Sequence, residues 1–301
     1  MKKFVQDDVL FHALTGGGMV RLIGISGREL VEEARNIHNL SRVATAALGR
    51  QLLMTAIMAS EQKGADELVS TIIKGDGPAG SIVCTGSPEL AVKGCVNDGT
   101  VELPPAPNGK LDVGSYVGRR GKLTVVRDLG MKEPYVGNCN LISGEIAEDF
   151  ANYYAASLQQ PSLVYLGVRE DVSTGSVLAA SGLLVQPLPG CPDEVIDTLS
   201  LRAGEIGKLT ARLAEGSTLL DGVKAALGTL DLTDIEERRP FYRCDCSRRR
   251  IEKALISTGK EEIMDMIQQD GGAEVTCHFC NQVYRFTAED LTALLSEAEG
   301  E

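Results

Sequence analysis

Residues 41–62 read SRVATAALGRQLLMTAIMASEQ, and this stretch decides the fold. Ser41 belongs to the residue types that cap helix N-termini, and the alanines, leucines and methionines after it favour a helix. Apolar residues lie on much of the circumference of such a helix, which indicates burial on most of its sides. We therefore expect a long helix inside a hydrophobic core.

The sequence on either side of this helix predicts strands and a further helix. Residues 19–25 (MVRLIGI) have a strand pattern, and residues 27–38 have helical spacing. Between residues 68 and 101, apolar runs are separated by glycine-rich turns such as GDGPAG, which is typical of a hairpin. Residues 122–129 (KLTVVRDL) predict one more strand.

A helix and a second hairpin complete the first part of the chain. Residues 144–162 predict an amphipathic helix that ends near Pro161, and residues 163–190 predict the hairpin. Strands and helices do not alternate here as they would around a parallel sheet. The pattern is therefore typical of an α+β fold, and we predict a mixed core domain over residues 1–189.

Residues 187–195 (PLPGCPDEV) separate this domain from a stretch with a different pattern. Residues 190–243 have helical spacing interrupted by several glycines, and strand signals vanish there. The segment is too apolar for a free linker, so we predict a helical linker that packs on another surface. Residues 244–301 predict helices and one hairpin, which form a small C-terminal zinc-binding domain.

Charge and composition exclude several classes of function. The formal net charge is −12 and aromatic residues make up 4% of the chain, so nucleic acid is not an expected partner. We find no apolar window of membrane-spanning length, and Asp7 and Asp8 interrupt the N-terminal stretch where a signal peptide needs apolar residues. We therefore expect a cytoplasmic protein without a membrane partner. Eight cysteines in that compartment indicate free thiols, metal ligands or redox chemistry.

Four of the cysteines have the spacing of a metal site. Cys244 and Cys246 form a C-x-C pair, and thirty residues separate it from the C-x-x-C pair of Cys277 and Cys280 on a predicted tight turn. Four thiolates suit tetrahedral zinc and leave no open position for catalysis. We predict one zinc ion per chain in the reduced form, with these four cysteines as ligands. His278 lies between two better ligands, so we do not expect it to bind the metal.

Other interpretations of this region stay open. Four unrelated core cysteines would have no metal chemistry, although nearby arginines suit a thiolate-rich site better than an apolar core. These arginines either balance the charge of a four-thiolate zinc centre or form a nucleic-acid patch, which neighbouring acidic residues dilute. They are Arg238, Arg239, Arg243, Arg248, Arg249 and Arg250. A C-x-x-C motif also occurs in thiol–disulfide oxidoreductases, but the βαβ context of that class is missing.

The remaining sequence gives no positive sign of an enzyme active site. It lacks a G-x-S-x-G elbow, and Gly16–Gly18 lacks the lysine and hydroxyl residues of a phosphate loop. His12 and His38 have no partner visible by spacing, and we expect both to be structural. The other four cysteines show no ligand spacing and are predicted to be buried free thiols. They are Cys84, Cys95, Cys139 and Cys191.

The predicted metal site fits either a fixed structural element or a switch. The region from Cys244 onward has about 60 residues, a size at which a hydrophobic core alone is marginal, so zinc binding would contribute to its folding. Oxidation within the two cysteine pairs would destroy all four ligands. A bond within C-x-C closes a very small, strained ring that is readily reduced again. The residues alone leave both interpretations open.

Longer stretches of the chain resemble the 33 kDa chaperonin family, the redox-activated heat-shock holdases of bacteria. CDCSRRRIEKALISTG, with CHFCNQVYRF further on, is similar to the zinc-binding end of that family. Five other stretches resemble its core segments in the same order: SRVATAALGR, KGDGPAGSIV, GKLTVVRDLGMKEPYVG, SGEIAEDFANYYAASLQQPS and SGLLVQPLPG. The resemblance covers nearly the whole chain.

This resemblance implies an ATP-independent chaperone that is idle when reduced and zinc-bound. Oxidants, especially with heat, would form the disulfides Cys277–Cys280, early, and Cys244–Cys246, which completes activation. Zinc would leave, the C-terminal domain would unfold and the helical linker would lose its packing. The exposed apolar surface would hold unfolding client proteins, usually in a homodimer. Cys84 and Cys95 lie in strands where cysteine is not expected for this family.

Overall fold

The protein folds into two compact units, Met1–Arg243 and Cys244–Glu301. The structure is a computed structural model that describes residues 7–299. Both units combine strands and helices, which confirms the predicted α+β class. Residues 190–243 lie in the larger unit together with the core, and the boundary at residue 189 stays a prediction.

Two sheets form the framework of the larger unit. The first has the spatial order β10 (Thr233–Arg238), β1 (Val9–Thr15), β2 (Val20–Ser26), β9 (Val177–Pro187) and β8 (Leu163–Glu170). The second has the order β11 (Phe241–Tyr242), β5 (Ala91–Val96), β4 (Ser81–Gly86), β3 (Leu68–Lys74), β6 (Lys122–Asp128) and β7 (Tyr135–Asn140). Strand β11 runs parallel to β5, and the other neighbouring strands are antiparallel.

The stretch that opens at Ser41 forms the predicted buried helix, α2 (Arg42–Ser60), which packs on both sheets. Oγ of Ser41 accepts a hydrogen bond from the amide of Ala44 at 3.2 Å, which confirms the predicted cap. Every residue of α2 except Arg42 and Arg50 is buried. Three further helices accompany the sheets: α1 (Arg28–His38), α3 (Val113–Val117) and α4 (Ala147–Ala156).

Helix α2 corrects one expectation from the sequence. It is long and apolar enough to cross a membrane by length and composition alone, with a mean hydropathy of 1.2. The sequence analysis found no such window, because scattered threonines and arginines interrupt the apolar run. In the structure 89% of this window is buried inside the protein, so α2 has the surroundings of a core helix.

Three helices after residue 190 cover the outer face of the first sheet. They are α5 (Asp193–Ile206), α6 (Leu209–Ala214) and α7 (Leu219–Leu227). Leu209 and Val223 are fully buried against Phe11, Leu22 and Leu183 of the sheet. The predicted packing of this segment on another surface is therefore observed.

Some strands differ from the sequence-based expectation. Residues 190–243 were expected to contain no strand, but β10 and β11 lie there. The sequence of β10, TDIEER, has one apolar residue and all six residues are exposed, so no alternation of apolar and polar residues marks it. Backbone pairing with β1 forms this strand instead. Strands β1 and β7 also went unpredicted.

Within its described residues, 244–299, the smaller unit contains three helices, a π-helical turn and one hairpin. These are α8 (Arg248–Thr258), α9 (Lys260–Asp265), the π turn (Met266–Asp270), β12 (Gly272–Thr276), β13 (Val283–Thr287) and α10 (Ala288–Glu299). Strands β12 and β13 pair antiparallel, which confirms the predicted hairpin. Among the described residues, its core cluster has five buried side chains: Leu255, Ile263, Phe286, Leu291 and Leu294.

Candidate metal centre

The four cysteines predicted as ligands meet in the smaller unit. Their Sγ atoms all lie within 4.8 Å of one another. Sγ of Cys244 is 3.7 Å from Sγ of Cys277, and Sγ of Cys246 is 3.3 Å from Sγ of Cys280. Cys277 is buried and the other three are partly buried. Two cysteine pairs separated by thirty residues of sequence thus converge on one point.

These distances fit a tetrahedral metal ion. Sulfurs at about 2.3 Å from a zinc ion would lie about 3.8 Å from one another. The two shortest separations, 3.7 and 3.3 Å, lie within about 0.5 Å of that value, and four sulfurs without oxygen or imidazole ligands suit a thiophilic ion. His278 is exposed and is not part of the four-sulfur cluster. The cluster can therefore hold a metal ion.

Local hydrogen bonds shape both halves of the cluster. The amide of Cys277 donates to the carbonyl of Gln282 at 2.9 Å, and the amide of Asn281 donates to the carbonyl of Cys277 at 2.8 Å. Asn281 has φ +56°, a left-handed conformation that asparagine tolerates, and this closes the turn between β12 and β13. Cys244 and Cys246 lie in extended chain before Ser247, whose side chain caps α8. The β12–β13 turn and the capped start of α8 therefore position the two cysteine pairs so that their sulfurs face one another.

Tyr284 contributes a contact that the sequence analysis missed. It lies on β13, and its hydroxyl donates a hydrogen bond to Sγ of Cys246 at 3.2 Å. The only signal in the sequence is an aromatic residue with a hydroxyl group shortly after the C-x-x-C motif. Cys246 therefore has a hydrogen-bond donor in addition to the neighbouring thiols.

The thiols differ in their acidity. Burial raises the pKa of Cys244 and of Cys280 above the ordinary thiol value. Burial also opposes ionisation of Cys246, but hydrogen bonds from Tyr284 and the neighbouring thiols outweigh it and lower the pKa of Cys246. The bond to Cys246 raises the pKa of Tyr284 to about 12, so its hydroxyl stays protonated at neutral pH. Among these three thiols, Cys246 ionises most readily.

The arginines near the cysteines contact acidic residues, a carbonyl group and an aromatic ring. Arg248 donates to the carbonyl of Arg285 at 2.9 Å, forms ion pairs with Glu252 and Asp290, and lies 4.3 Å from the ring centroid of Phe286. Arg250 pairs with Asp245. The guanidinium groups of Arg248 and Arg250 form ion pairs with carboxylates, whereas the hydroxyl of Tyr284 contacts sulfur. These two arginines therefore brace the unit around the cluster.

The remaining cysteines and histidines lie apart from the cluster. Cys84 and Cys139 are buried in the second sheet, and burial raises the pKa of both thiols. Cys95 and Cys191 are only partly buried, which differs from the predicted burial, and none of these four cysteines forms a disulfide. Nε2 of His12 lies 2.9 Å from Oγ of Ser60, and Nε2 of His38 lies 3.0 Å from the carbonyl oxygen of Gly94. Both histidines therefore have structural partners.

Known proteins resemble this chain over nearly its full length. The family model described as Hsp33 protein matches residues 8–287. A 33 kDa chaperonin of Clostridium perfringens (strain 13 / Type A) is 42% identical over 293 residues, which cover 97% of this chain and 92% of that protein. A 33 kDa chaperonin of Desulforamulus reducens is 41% identical over 292 residues, covering 97% and 98%. The crystal structure of a 33 kDa chaperonin (heat shock protein 33 homolog) from Thermotoga maritima has a TM-score of 0.88 and 34% identity, covering 98% of this chain and 99% of that one.

Proposed function

We propose that this chain, which belongs to the Hsp33 family, is a redox-regulated chaperone that holds unfolding proteins without ATP. The observation that carries the proposal is the cluster of four sulfurs within 4.8 Å in a unit with a small hydrophobic core. In the reduced state the chain is idle, and oxidation together with heat activates it. The compartment proposed is the cytoplasm.

The metal proposed for the cluster is zinc, held by Cys244, Cys246, Cys277 and Cys280. A structural zinc ion supplies about 10–16 kcal/mol of apparent binding free energy at neutral pH, and this is folding free energy for a small unit. The chain positions its sulfurs through the β12–β13 turn and the capped start of α8. Loss of the thiolates would therefore unfold the unit rather than merely empty a site.

Oxidation removes the ligands in two balanced steps. A cysteine thiolate attacks hydrogen peroxide, which gives a sulfenic acid and hydroxide; a second thiolate then displaces hydroxide and forms the disulfide. From the family resemblance we propose the pairs Cys277–Cys280, first, and Cys244–Cys246. In the reduced structure the crosswise distances Cys244–Cys277 and Cys246–Cys280 are 3.7 and 3.3 Å, so disulfide mapping of the oxidised chain is needed to test the pairing.

The helices α5–α7 cover the apolar sheet surface that activation would expose. They cover a sheet face on which Phe11, Leu22 and Leu183 are fully buried. Within these helices, Gly204 and Gly222 each lower helix stability by about 1 kcal/mol relative to alanine. If unfolding of the smaller unit loosens this segment, the apolar face becomes available to unfolding clients. A contiguous exposed apolar surface is typical of a protein-binding site.

The test combines zinc release with client aggregation. The reduced chain and the chain treated with peroxide and mild heat are each mixed with a heat-labile client, while a metallochromic dye records zinc. We expect protection of the client after oxidation only, together with zinc release. Protection that does not increase, or increases while zinc remains bound, contradicts the proposal. Cys191→Ser changes a thiol outside the cluster and serves as the control. On oxidation it should release zinc and protect the client to the same extent as the unmodified chain.

Two further parts of the proposal concern partners. We propose a homodimer in the activated state, which sedimentation of the reduced and oxidised chains would test. Nucleic acid is not a proposed partner, because the net charge is −12 and Arg248 and Arg250 are bound to carboxylates. Salt-dependent binding to nucleic acid that weakens on substitution of Arg248 would overturn that exclusion.

A further inference from the structure

Strand β10 is weakly held at the edge of the first sheet. All six of its residues, Thr233–Arg238, are exposed, so its side chains add little apolar burial. Asp234 has φ +51°, and the register with β1 shifts between His12 and Leu14. Backbone pairing with β1 and a hydrogen bond from the guanidinium of Arg238 to the carbonyl of Pro88 hold the strand.

The neighbouring strand in the sheet, β1, is instead apolar and largely buried. Its sequence is VLFHALT, and Leu10, Phe11 and Ala13 are 0%, 0% and 3% exposed. An apolar strand with an open edge is a template for pairing with another chain, and natural sheets protect such edges with charged residues. The acidic and basic residues of β10 provide that protection for β1 in this structure.

The backbone of β1 shows which amides would become free without β10. The amide of Val9 donates to Oγ of Ser26 on β2 at 3.2 Å. Because amides alternate in direction along a strand, those of Leu10 and His12 point to the other side, where β10 lies. The register confirms the partners: Leu10 is opposite Arg238, and His12 is opposite Glu236.

The packing at one end of this pair of strands is open. A cleft of about 520 Å³ lies where the end of β10 meets the start of β1 and of α7. Its lining includes Val9, Leu219 and Arg238. After β10 the chain passes through the two-residue strand β11 and reaches Cys244. Strand β10 is thus part of the same segment, residues 190–243, whose release we propose for activation.

We propose that the activated chain binds an extended segment of an unfolding protein as an added strand on the edge of β1, in the place that β10 occupies in the resting state. This inference rests on the proposed function, since it requires release of residues 190–243. The backbone of the added segment would pair with Leu10 and His12. Its apolar side chains at alternate positions would lie beside Phe11 and Ala13, on the sheet face that α6 and α7 cover at rest. The partner is therefore an unfolded polypeptide with alternating apolar residues.

Residue-resolved hydrogen exchange tests the inference on the full chain in three samples: reduced, oxidised, and oxidised with a heat-unfolded client. We expect the amides of Leu10 and His12 to exchange about tenfold faster after oxidation and about tenfold slower again when client is bound. The amides of Phe11 and Ala13, which point toward β2, should stay protected in all three samples. If client is bound while the amides of Leu10 and His12 still exchange rapidly, strand addition is overturned. Continued protection of both amides in the oxidised chain also overturns it.

A pair of variants tests the same contact by function. His12→Pro removes the central amide and blocks strand addition, whereas His12→Thr removes the same imidazole and its bond to Ser60 but keeps the amide. We expect the proline variant, once oxidised, to bind client about fivefold more weakly than the threonine variant, the effect of about one hydrogen bond. Equal binding by the two variants contradicts the inference.

Two other outcomes have distinct meanings. If the oxidised chain releases zinc but holds no client, the proposed function fails and the inference fails with it. If Leu10 and His12 become protected in oxidised chain without client, to a degree that grows with protein concentration, a second copy of the chain occupies the edge. That result would overturn the assignment of the edge to clients while leaving the chaperone function intact.

Discussion

In the larger unit, a helix with all but two residues buried lies against two sheets, and several of its polar side chains form hydrogen bonds. Gln51, for example, donates to the carbonyls of Thr71 and Ile82 at 2.9 and 3.1 Å. In the smaller unit, five buried side chains form the core cluster among the described residues, and four cysteines meet beside the hairpin.

This difference shows how one chain can combine a unit that stays folded with a unit whose folding depends on its cysteine cluster. The larger unit has enough apolar burial to remain folded by itself. The smaller unit has about 60 residues, and a core of that size is marginal without a metal or a disulfide. Chemistry at four sulfur atoms can therefore change one unit and leave the other folded.

The largest effect is expected from removal of two ligands. In the double variant Cys277→Ser, Cys280→Ser, zinc should be lost together with about 10–16 kcal/mol of metal-binding free energy, so the smaller unit should unfold. Limited proteolysis should then cut residues 244–301 and spare α2. Unchanged resistance of residues 244–301 would show that the unit does not depend on the metal.

A large-to-small substitution in α2 should affect the other unit. Leu52 is fully buried, so Leu52→Ala should lower the free energy of unfolding of the larger unit by about 2–5 kcal/mol in denaturant titrations. Zinc affinity should not change. Leu201→Ala, at a residue that is 86% exposed on α5, is the control and should have little effect. A matching loss of zinc affinity in Leu52→Ala would mean that the two units are not independent.

Two glycines in the segment over the sheet should shift activation in opposite directions. A Cβ at Gly204 would meet no atom within 4 Å, so Gly204→Ala should stabilise α5 by about 1 kcal/mol and raise the temperature at which oxidised chain becomes active. A Cβ at Gly222 would lie 2.8 Å from Cδ1 of Leu209, and such overpacking costs up to about 3 kcal/mol. This cost exceeds the gain of about 1 kcal/mol in helix stability, so Gly222→Ala should lower that temperature. Client aggregation measured against temperature distinguishes the two variants. Equal shifts in the activation temperature would show that this segment does not control activation.

The smallest effect is expected at Tyr284. Tyr284→Phe removes the hydrogen bond to Cys246, worth about 1 kcal/mol, and the pKa of Cys246 should rise because its thiolate loses a donor. At neutral pH the variant should therefore have a smaller Cys246 thiolate fraction than the unmodified chain, both without metal. Ultraviolet absorbance of the thiolate during a pH titration measures this. Tyr165→Phe, whose hydroxyl bonds Thr210 in the larger unit, is the control. An unchanged titration would show that the hydroxyl does not stabilise the thiolate.

The sequence predicted those parts of the molecule that local pattern determines. The apolar run after Ser41 became α2, and the spacing of four cysteines identified the residues that meet in the cluster. The C-x-x-C turn has a local signature, because it requires a tight hairpin whose geometry depends on adjacent residues. These features need little knowledge of distant contacts.

Other features depend on distant contacts and could not be predicted in this way. Strand β10 has no apolar alternation and exists because β1, more than two hundred residues earlier, offers an edge. The contact of Tyr284 with Cys246 depends on how the hairpin lies against the extended chain before α8. Arg248 and Arg250 form ion pairs with Asp290 and Asp245, and sequence proximity does not show which partner a long side chain reaches.

The most direct test of the contrast between the two units follows both in one sample. Hydrogen exchange is measured in α2 and in the hairpin β12–β13 while peroxide and mild heat are applied and a dye records zinc release. We predict that exchange in Gly272–Thr287 becomes fast as zinc leaves, while Arg42–Ser60 stays protected. Zinc release with a hairpin that stays protected, or simultaneous loss of protection in both regions, would contradict the account.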